Sequence, residues 1–353
     1  MSKNYTIRRM QPDDSPALLA LEEKTVDTGR VGLTNRYHYD YYQIQQFLRP
    51  GFTGIVAESP QFEGLIGVAL LSFGECQLEG EILPYCYLGG LGVHQDFRRM
   101  GISTAITSEM MAIVRERFGN ECIVFAGIQG GNEGSLKANM KWANQVFTDR
   151  TSAAIGFLPK KPPTNANGIT IRPVNDSEIE EVIRLQNNFY CDSNLYPQKS
   201  SADLEKWLAK DSFGGEINRY YVAVDQKGRL LAGLGVTLTG MLMTAEISRL
   251  PWMLRGLNAV LHLFPKDGAK TLHGHWFWFL DGRQTAGAKL WDTVKWLERQ
   301  QANMGMLFFD INGPVRKAIS LPRFLPQSSG YIVVNTPRQL KEDHFLYFNN
   351  LLI

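Results

Sequence analysis

Leu91-Gly-Val93-His-Gln-Asp-Phe-Arg98-Arg-Met-Gly101-Ile-Ser103-Thr104 joins an apolar run to the start of an amphipathic segment. Upstream, 85–93 reads as an apolar strand. Downstream, 103–118 reads as a helix with Ile106, Met110, Ile113 and Val114 on one face. The loop between them suits a diphosphate. The first N–H groups of a helix have no internal acceptor, the helix dipole favours negative charge, and Gly101 allows close approach to the backbone. Arg98 and Arg99 add positive charge. An ordinary strand–helix turn with two solvated arginines would use the same residues. Other phosphate loops fit worse: there is no GxxxxGK[ST], and Gly233-x-Gly235 lacks the third glycine of a dinucleotide fingerprint.

Working outward, the chain repeats itself. Thr6-Ile7-Arg8 recurs as Thr170-Ile171-Arg172, each followed by an acidic turn (Asp13-Asp14; Asp176) and a helical stretch. Leu18, Leu19 and Leu21 lead to Val26 in the first stretch; Ile179, Val182, Ile183 and Gln186 lead to Phe189 in the second. Val56-Ala57-Glu58 with 65–69, and Val222-Ala223-Val224-Asp225 with 231–235, both read as β-hairpins. The three prolines of 158–168 mark a linker, which predicts domains at 1–162 and 163–353. In the first half a strand at 123–128 and a helix at 132–142 follow. In the second, strands at 276–280 and 306–311 flank a helix at 289–301 with Leu290, Val294 and Leu297 on one face. The second half adds sequence at about 241–268, where Leu254, Leu257 and Leu261 predict a helical insertion.

The 353 residues suit two domains, and 44% hydrophobic residues supply material for packed cores. Lys plus Arg number 37 against 35 acids, a balance that argues against a nucleic-acid binder. No apolar run is long enough to predict a transmembrane helix, and 1–14 has no signal-like apolar stretch. Cys76, Cys86, Cys122 and Cys191 are scattered, so reduced thiols in a cytoplasmic protein are expected. His273-x-His275 lacks further ligands at metal spacing, so no metal is expected.

Val93-x-x-x-x-Arg98-x-x-Gly101-x-Ser103 resembles the acyl-CoA motif of the GNAT N-acyltransferase superfamily, V-x-x-x-x-[RQ]-x-x-G-x-[GA], with Ser at the last position. With the repeat, the whole chain resembles a tandem member. The resemblance implies an α/β (α+β) fold: two GNAT-like domains, each a mixed, mostly antiparallel sheet flanked by helices. It implies acetyl-CoA as cofactor. The diphosphate would lie on the N–H groups of Arg99, Met100, Gly101, Ile102, Ser103 and Thr104, and pantetheine along Leu91, Gly92 and Val93. The family's Asn looks like Asn132, and the usual Tyr acid seven residues on is Asn139, which is no proton donor. In the second half Gln284-x-x-Gly287 keeps the motif core, but Lys289 replaces the small residue, Asn312 stands for the Asn, Ile319 for the Tyr, and Phe324 fits the family Phe. One coenzyme A per chain is expected, with Lys289 narrowing the second loop.

The implied reaction is attack of an amine on a thioester, in the N-terminal domain, with a backbone N–H near 91–93 facing the carbonyl oxygen. Tyr87 holds the position where several relatives carry a Glu base; Tyr85 shares its face. These tyrosines are the expected proton donors. Glu75, Glu79 and Glu81 lie upstream, solvated hairpin charges or a base, with Glu81 nearest the strand. Arg36-Tyr-His-Tyr-Asp-Tyr-Tyr42 reads either as an amine-binding cluster or as aromatics packing a helix. The expected partner is a small-molecule or peptide amine, with no nucleic acid and no membrane. A catalytically weak coenzyme A-binding or scaffold protein is the alternative. The apolar tail 344–353 would dock on a domain or on a second copy in a homodimer.

Overall fold

The computed structural model describes residues 4–25, 32–163, 168–249, 268–319, 330–341 and 344–348. The first half runs β1 (Thr6–Arg9), α1 (Ser15–Lys24), β2 (Gly32–Tyr37), α2 (Tyr41–Leu48), β3 (Thr53–Ser59), β4 (Phe62–Leu78), β5 (Glu81–Val93), α3 (Ile102–Phe118), β6 (Ile123–Gln129), α4 (Glu133–Asn139) and β7 (Gln145–Phe157). The second runs β8 (Thr170–Pro173), α5 (Ile179–Phe189), β9 (Ser193–Asn194), α6 (Ser201–Leu208), β10 (Asn218–Val224), β11 (Leu230–Thr237), β12 (Met243–Arg249), β13 (Thr271–Phe279), α7 (Gln284–Leu297), β14 (Met304–Asp310), β15 (Gly330–Asn335) and β16 (Phe345–Leu346).

The repeat has a physical cause at its first turn. Arg8 pairs with Asp14 at 2.7 Å, and Arg172 with Glu178 at 2.6 Å. In each case the acid also caps the short 3-10 turn that starts the helix, accepting from the Gln11 or the Asn175 amide. One device therefore closes the strand-to-helix turn twice.

Among the described residues, twelve strands form one sheet in the order β1-β3-β4-β5-β6-β15-β7-β14-β13-β11-β10-β8. All neighbours are antiparallel except β5–β6 and β13–β14. Each half supplies a run of five strands, and the last strands change places at the centre. β7 pairs with β14 and β15, and β15 pairs with β6. The proline-rich sequence near 163 separates the repeats along the chain, but the sheet is hydrogen-bonded straight across them.

Helix α3 buries Ile106, Met110, Ile113 and Val114 against one face of the N-terminal strands. Helix α7 does the same with Leu290 and Val294, while Leu297, expected on that face, is 37% exposed. Trp276, Phe277, Trp278 and Phe279 are strand core. The helical insertion expected at 241–268 is not what 243–249 forms. Those residues are strand β12, paired with β2 of the other half. Leu254, Leu257 and Leu261 lie outside the described residues, as do Val26 and Phe324. No helix among the described residues is long and apolar enough to cross a membrane.

Candidate active site in the N-terminal fork

Strands β5 and β6 are paired only at Tyr85–Ile123, Cys86–Val124 and Tyr87–Phe125. Beyond Tyr87 they part: β5 continues with β4, and β6 with β15. The inner edges of 88–93 and 126–129 thus have no strand partner among the described residues, and backbone donors and acceptors face the gap. A bulge opens it, since Gly90 and Leu91 stand opposite Ala69 alone. Gly90 has φ +55°, and a Cβ there would lie 2.7 Å from Leu70 Cδ1. A glycine is therefore required where the strand leaves its neighbour.

The loop after Val93 makes a 3-10 turn (Gln95–Phe97), and Arg98 Nε donates to the Val93 carbonyl at 3.3 Å. Arg99 and Gly101 take positive φ, +66° and +81°, so the chain turns sharply and α3 starts at Ile102. Ile102, Ser103 and Thr104 are thereby the first helical residues, whose N–H groups lack intrahelical acceptors. Arg98, Arg99, Met100 and Gly101 are exposed. Lys141 Nζ donates to Thr104 Oγ1 at 2.9 Å, adding a cation beside the helix start. An open groove of about 550 Å³ runs along Gly101, Thr104 and Ala105, walled by Tyr5, Ile7 and Met100. Leu91, Gly92 and Val93, half-buried, lead from the fork to this loop.

The remaining expected residues are less converged. Asn132 is the N-cap of α4, accepting from the Ser135 amide at 3.1 Å. Asn139 is buried and turned into its own helix: Nδ2 donates to the Ser135 carbonyl (2.9 Å), and Oδ1 accepts from Trp142 Nε1 (3.1 Å). Glu81 sits at the far end of β5, exposed and paired with Arg338 at 2.6 Å. It does not reach the fork. Tyr85 and Tyr87 are buried on the face away from α3, packed on Phe125 with Leu346 and Phe348 nearby. Burial pushes both phenols above their ordinary value. Tyr87 occupies the last paired position. Its hydroxyl has no hydrogen-bond partner of good geometry, and the Gly127 backbone and the Arg49 guanidinium are the polar groups that act on it.

The aromatic run 36–42 does not form one cluster. His38 bonds the Met241 carbonyl and Thr244, Tyr39 reaches the Phe213 carbonyl, and Asp40 caps α2. Tyr41 is core, and Tyr42 packs on Phe52. Arg36 pairs with Glu246 at 3.5 Å, and Tyr37 meets another acid, Glu22, which sequence reading missed. The available signal was helical register: Glu22 follows the buried Leu18 by four residues, on the core face of α1.

The second half holds a counterpart fork. β13 and β14 pair only from Thr271 to Gly274, and Trp276 and Phe277 bulge opposite Leu234. Trp276, at φ +49°, stands where Gly90 stands. Here the gap is filled. Pro314, Val315 and residues 345–348 line it, leaving a cavity of about 30 Å³, and the Leu346 amide donates to Asp310 at 2.9 Å. Helix α7 starts at Gln284, so Gly287 is buried inside its first turn, where a Cβ would lie 2.9 Å from Phe279. Lys289 does not narrow a loop: its ammonium donates to the Ile169 carbonyl at 2.8 Å. His273 and His275 bond Thr271 and Thr237.

A family model described as Acetyltransferase (GNAT) family matches residues 19–138, which span the open fork and its loop. The chain carries a GNAT domain. Among solved structures, the Saccharomyces cerevisiae N-myristoyltransferase with bound myristoyl-CoA is similar at TM-score 0.63 and 10% identity, over 100% of this chain and 84% of that one. A GCN5-related N-acetyltransferase from Sphaerobacter thermophilus is similar at TM-score 0.62 and 12% identity, over 97% and 98%. At these identities the likeness is one of fold, and it shows a GNAT fold. No curated protein matches the sequence.

Proposed function

We propose that the protein is an acyl-CoA-dependent N-acyltransferase, using acetyl-CoA and a primary amine, with its active site in the N-terminal fork. The observation that carries this reading is the open fork leading directly into an unobstructed helix N-terminus. The residues fit the group. The N–H groups of Ile102, Ser103 and Thr104, with Arg99 and Lys141 beside them, suit a diphosphate. The bare edges of 88–93 and 126–129 suit the amide-bearing pantetheine arm, which can pair as a strand does.

Bound there, the cofactor supplies a thioester. The chain's own contribution is mainly positional. The fork would hold the thioester, the packed Tyr85–Phe125 face would keep water from one side, and strand N–H groups would stabilise the carbonyl oxygen. Tyr87 stays protonated at working pH because burial raises its phenol, so it acts there as a hydrogen-bond donor. Cytoplasmic location and a peptide or small-molecule amine acceptor belong to the same proposal.

The test is thermal stabilisation. Coenzyme A at about a hundred times its Kd adds about 2.7 kcal/mol by mass action. Gly101→Glu removes it by setting a charge against the diphosphate at a backbone that disfavours any side chain. An undiminished shift in that variant overturns the placement. A second reading, a coenzyme A binder with weak turnover, is favoured by Asn139, whose amide is fully used within α4 and Trp142. Release of free thiol from acetyl-CoA with a mixed amine panel decides between the two.

A further inference from the structure

A set of polar groups lies on the face of the sheet opposite α3, against the same fork. Helix α1 packs there through Leu18 and Leu21, in a cluster with Val68 and Leu70 of β4. The end of α1 reaches the splayed part of β5, where a Cβ on Gly92 would lie 3.2 Å from Thr25 Cγ2. Glu22 precedes Thr25 by three residues and so shares its helix face. Its Oε1 accepts from Tyr37 Oη at 3.3 Å and Asn35 Nδ2 at 3.1 Å, both from β2.

Behind this carboxylate sits Arg49, buried, just past the end of α2 and hydrogen-bonded to Gln45. Its charge acts on Glu22, Tyr37, Tyr41 and Tyr87 together. Tyr87 lies at the fork apex and pairs across the strands with Ser72, and neither buried hydroxyl has a hydrogen-bond partner of good geometry. Such orphans are expensive in a packed core and mark a place where a polar ligand or water completes the structure. Glu22 itself forms no ion pair within 4 Å among the described residues. A desolvated carboxylate bonded to two neutral donors, three residues before the threonine that meets Gly92 of the open fork, is a site for a cation.

We propose that Glu22 receives the ammonium of the acceptor amine and takes one of its protons, as the general base of the N-terminal site. The inference rests on the N-acyltransferase reading. One proton passes from R–NH₃⁺ to the Glu22 carboxylate and on to solvent. The freed amine forms the C–N bond as the C–S bond breaks, and the proton that its nitrogen sheds on acylation leaves with coenzyme A as the thiol. The groups facing Glu22 are Asn35 and Tyr37 from β2, Tyr41 from α2, and Arg49. Burial raises the Glu22 pKa, against the lowering by the Tyr37 and Asn35 hydrogen bonds and by Arg49. A base of raised pKa is better matched to an ammonium than a solvated glutamate.

The full chain, labelled with carboxyl-¹³C glutamate and saturated with coenzyme A, is titrated with and without n-butylammonium chloride. Tetramethylammonium chloride, which has no N–H, is the control. The Glu22 signal, identified by its loss in Glu22→Gln, should titrate above the reference value of about 4.3. n-Butylammonium should pull that midpoint down by about half a unit or more, since a nearby cation favours the carboxylate, and the control should not. A midpoint unmoved by n-butylammonium overturns the proposal. In thiol-release assays with n-butylamine, Glu22→Gln should lower kcat/KM about 10²- to 10⁴-fold and abolish the acid limb of the pH profile. Coenzyme A should still stabilise that variant. An acid limb kept in Glu22→Gln also overturns it. If coenzyme A fails to stabilise even the unsubstituted protein, the cofactor reading falls and takes this inference with it. A normal shift with an unresponsive Glu22 removes this inference alone.

Discussion

The two forks begin from one plan, a short parallel pair that opens at a bulge on its first strand, and they diverge in what the chain places after it. In the N-terminal fork Gly90 is exposed and Leu91, Gly92 and Val93 are half-buried; in the C-terminal fork every residue of β13 is buried. The N-terminal helix waits until Ile102, after the glycine, and leaves its first amides outward. The C-terminal helix begins at Gln284, before the glycine, and uses Gly287 for close packing on Phe277 and Phe279. Identical motif spacing thus supports opposite uses. A glycine beside an anion site and a glycine beside a phenylalanine are indistinguishable until the helix start is known.

The largest effect that would break this comparison is on stability. Leu346 is 3% exposed, joins the cluster of Tyr85 and Tyr87, and ties the filled fork through its amide to Asp310. Leu346→Ala should cost about 2–5 kcal/mol in urea unfolding. Calorimetry on the unsubstituted chain should return one coenzyme A; two comparable sites would mean that the filled fork opens in solution. Gly90→Ala should cost about 1–3 kcal/mol, through the left-handed backbone and the Leu70 contact. The same substitution in an unconstrained strand would be nearly silent, so a neutral result contradicts the bulge.

Smaller effects sharpen the picture. Tyr87→Phe should slow thiol release while raising the unfolding midpoint slightly, because a buried hydroxyl without a well-placed partner costs stability. Tyr85→Phe should leave turnover intact. Equal turnover in both variants would make these tyrosines core residues only. Smallest is a pH effect on stability from Glu22. Its folded pKa is raised above the unfolded value, so its favourable contribution is full below the unfolded pKa and is lost as pH rises through the folded one. Glu22→Gln does not titrate. Unfolding of the two proteins should agree near pH 4 and separate near pH 8, with the variant the more stable.

The repeat, both hairpins, the core face of α3 and the strand–loop–helix at 91–104 were legible because each is local. Period, turn chemistry and motif spacing fix them within about twenty residues. The fork was not, since it depends on where a parallel ladder stops, which no side-chain pattern announces. The segment 243–249 reads as part of a helical insertion until its partner β2, two hundred residues away, is known. Asn132 and Asn139 fit the family spacing, yet Asn132 caps α4 and Asn139 closes on Trp142, uses that spacing alone cannot distinguish from ligand contact. Glu22 was overlooked because an acid at a core register looks like the solvated edge of an amphipathic face.

The crossing of β7 and β15 bears on how the protein is made. When β6 leaves the ribosome, its outer edge has no partner in the half already synthesised. That partner is β15, at Gly330–Asn335, near the end of the chain. At about 5–20 residues per second, the nascent chain carries a bare apolar strand edge for on the order of ten to forty seconds. Early release leaves that edge open to pairing with another copy. Fragments ending near residue 160 should therefore collect in inclusion bodies, and slowed translation of the second half should raise the demand for chaperones.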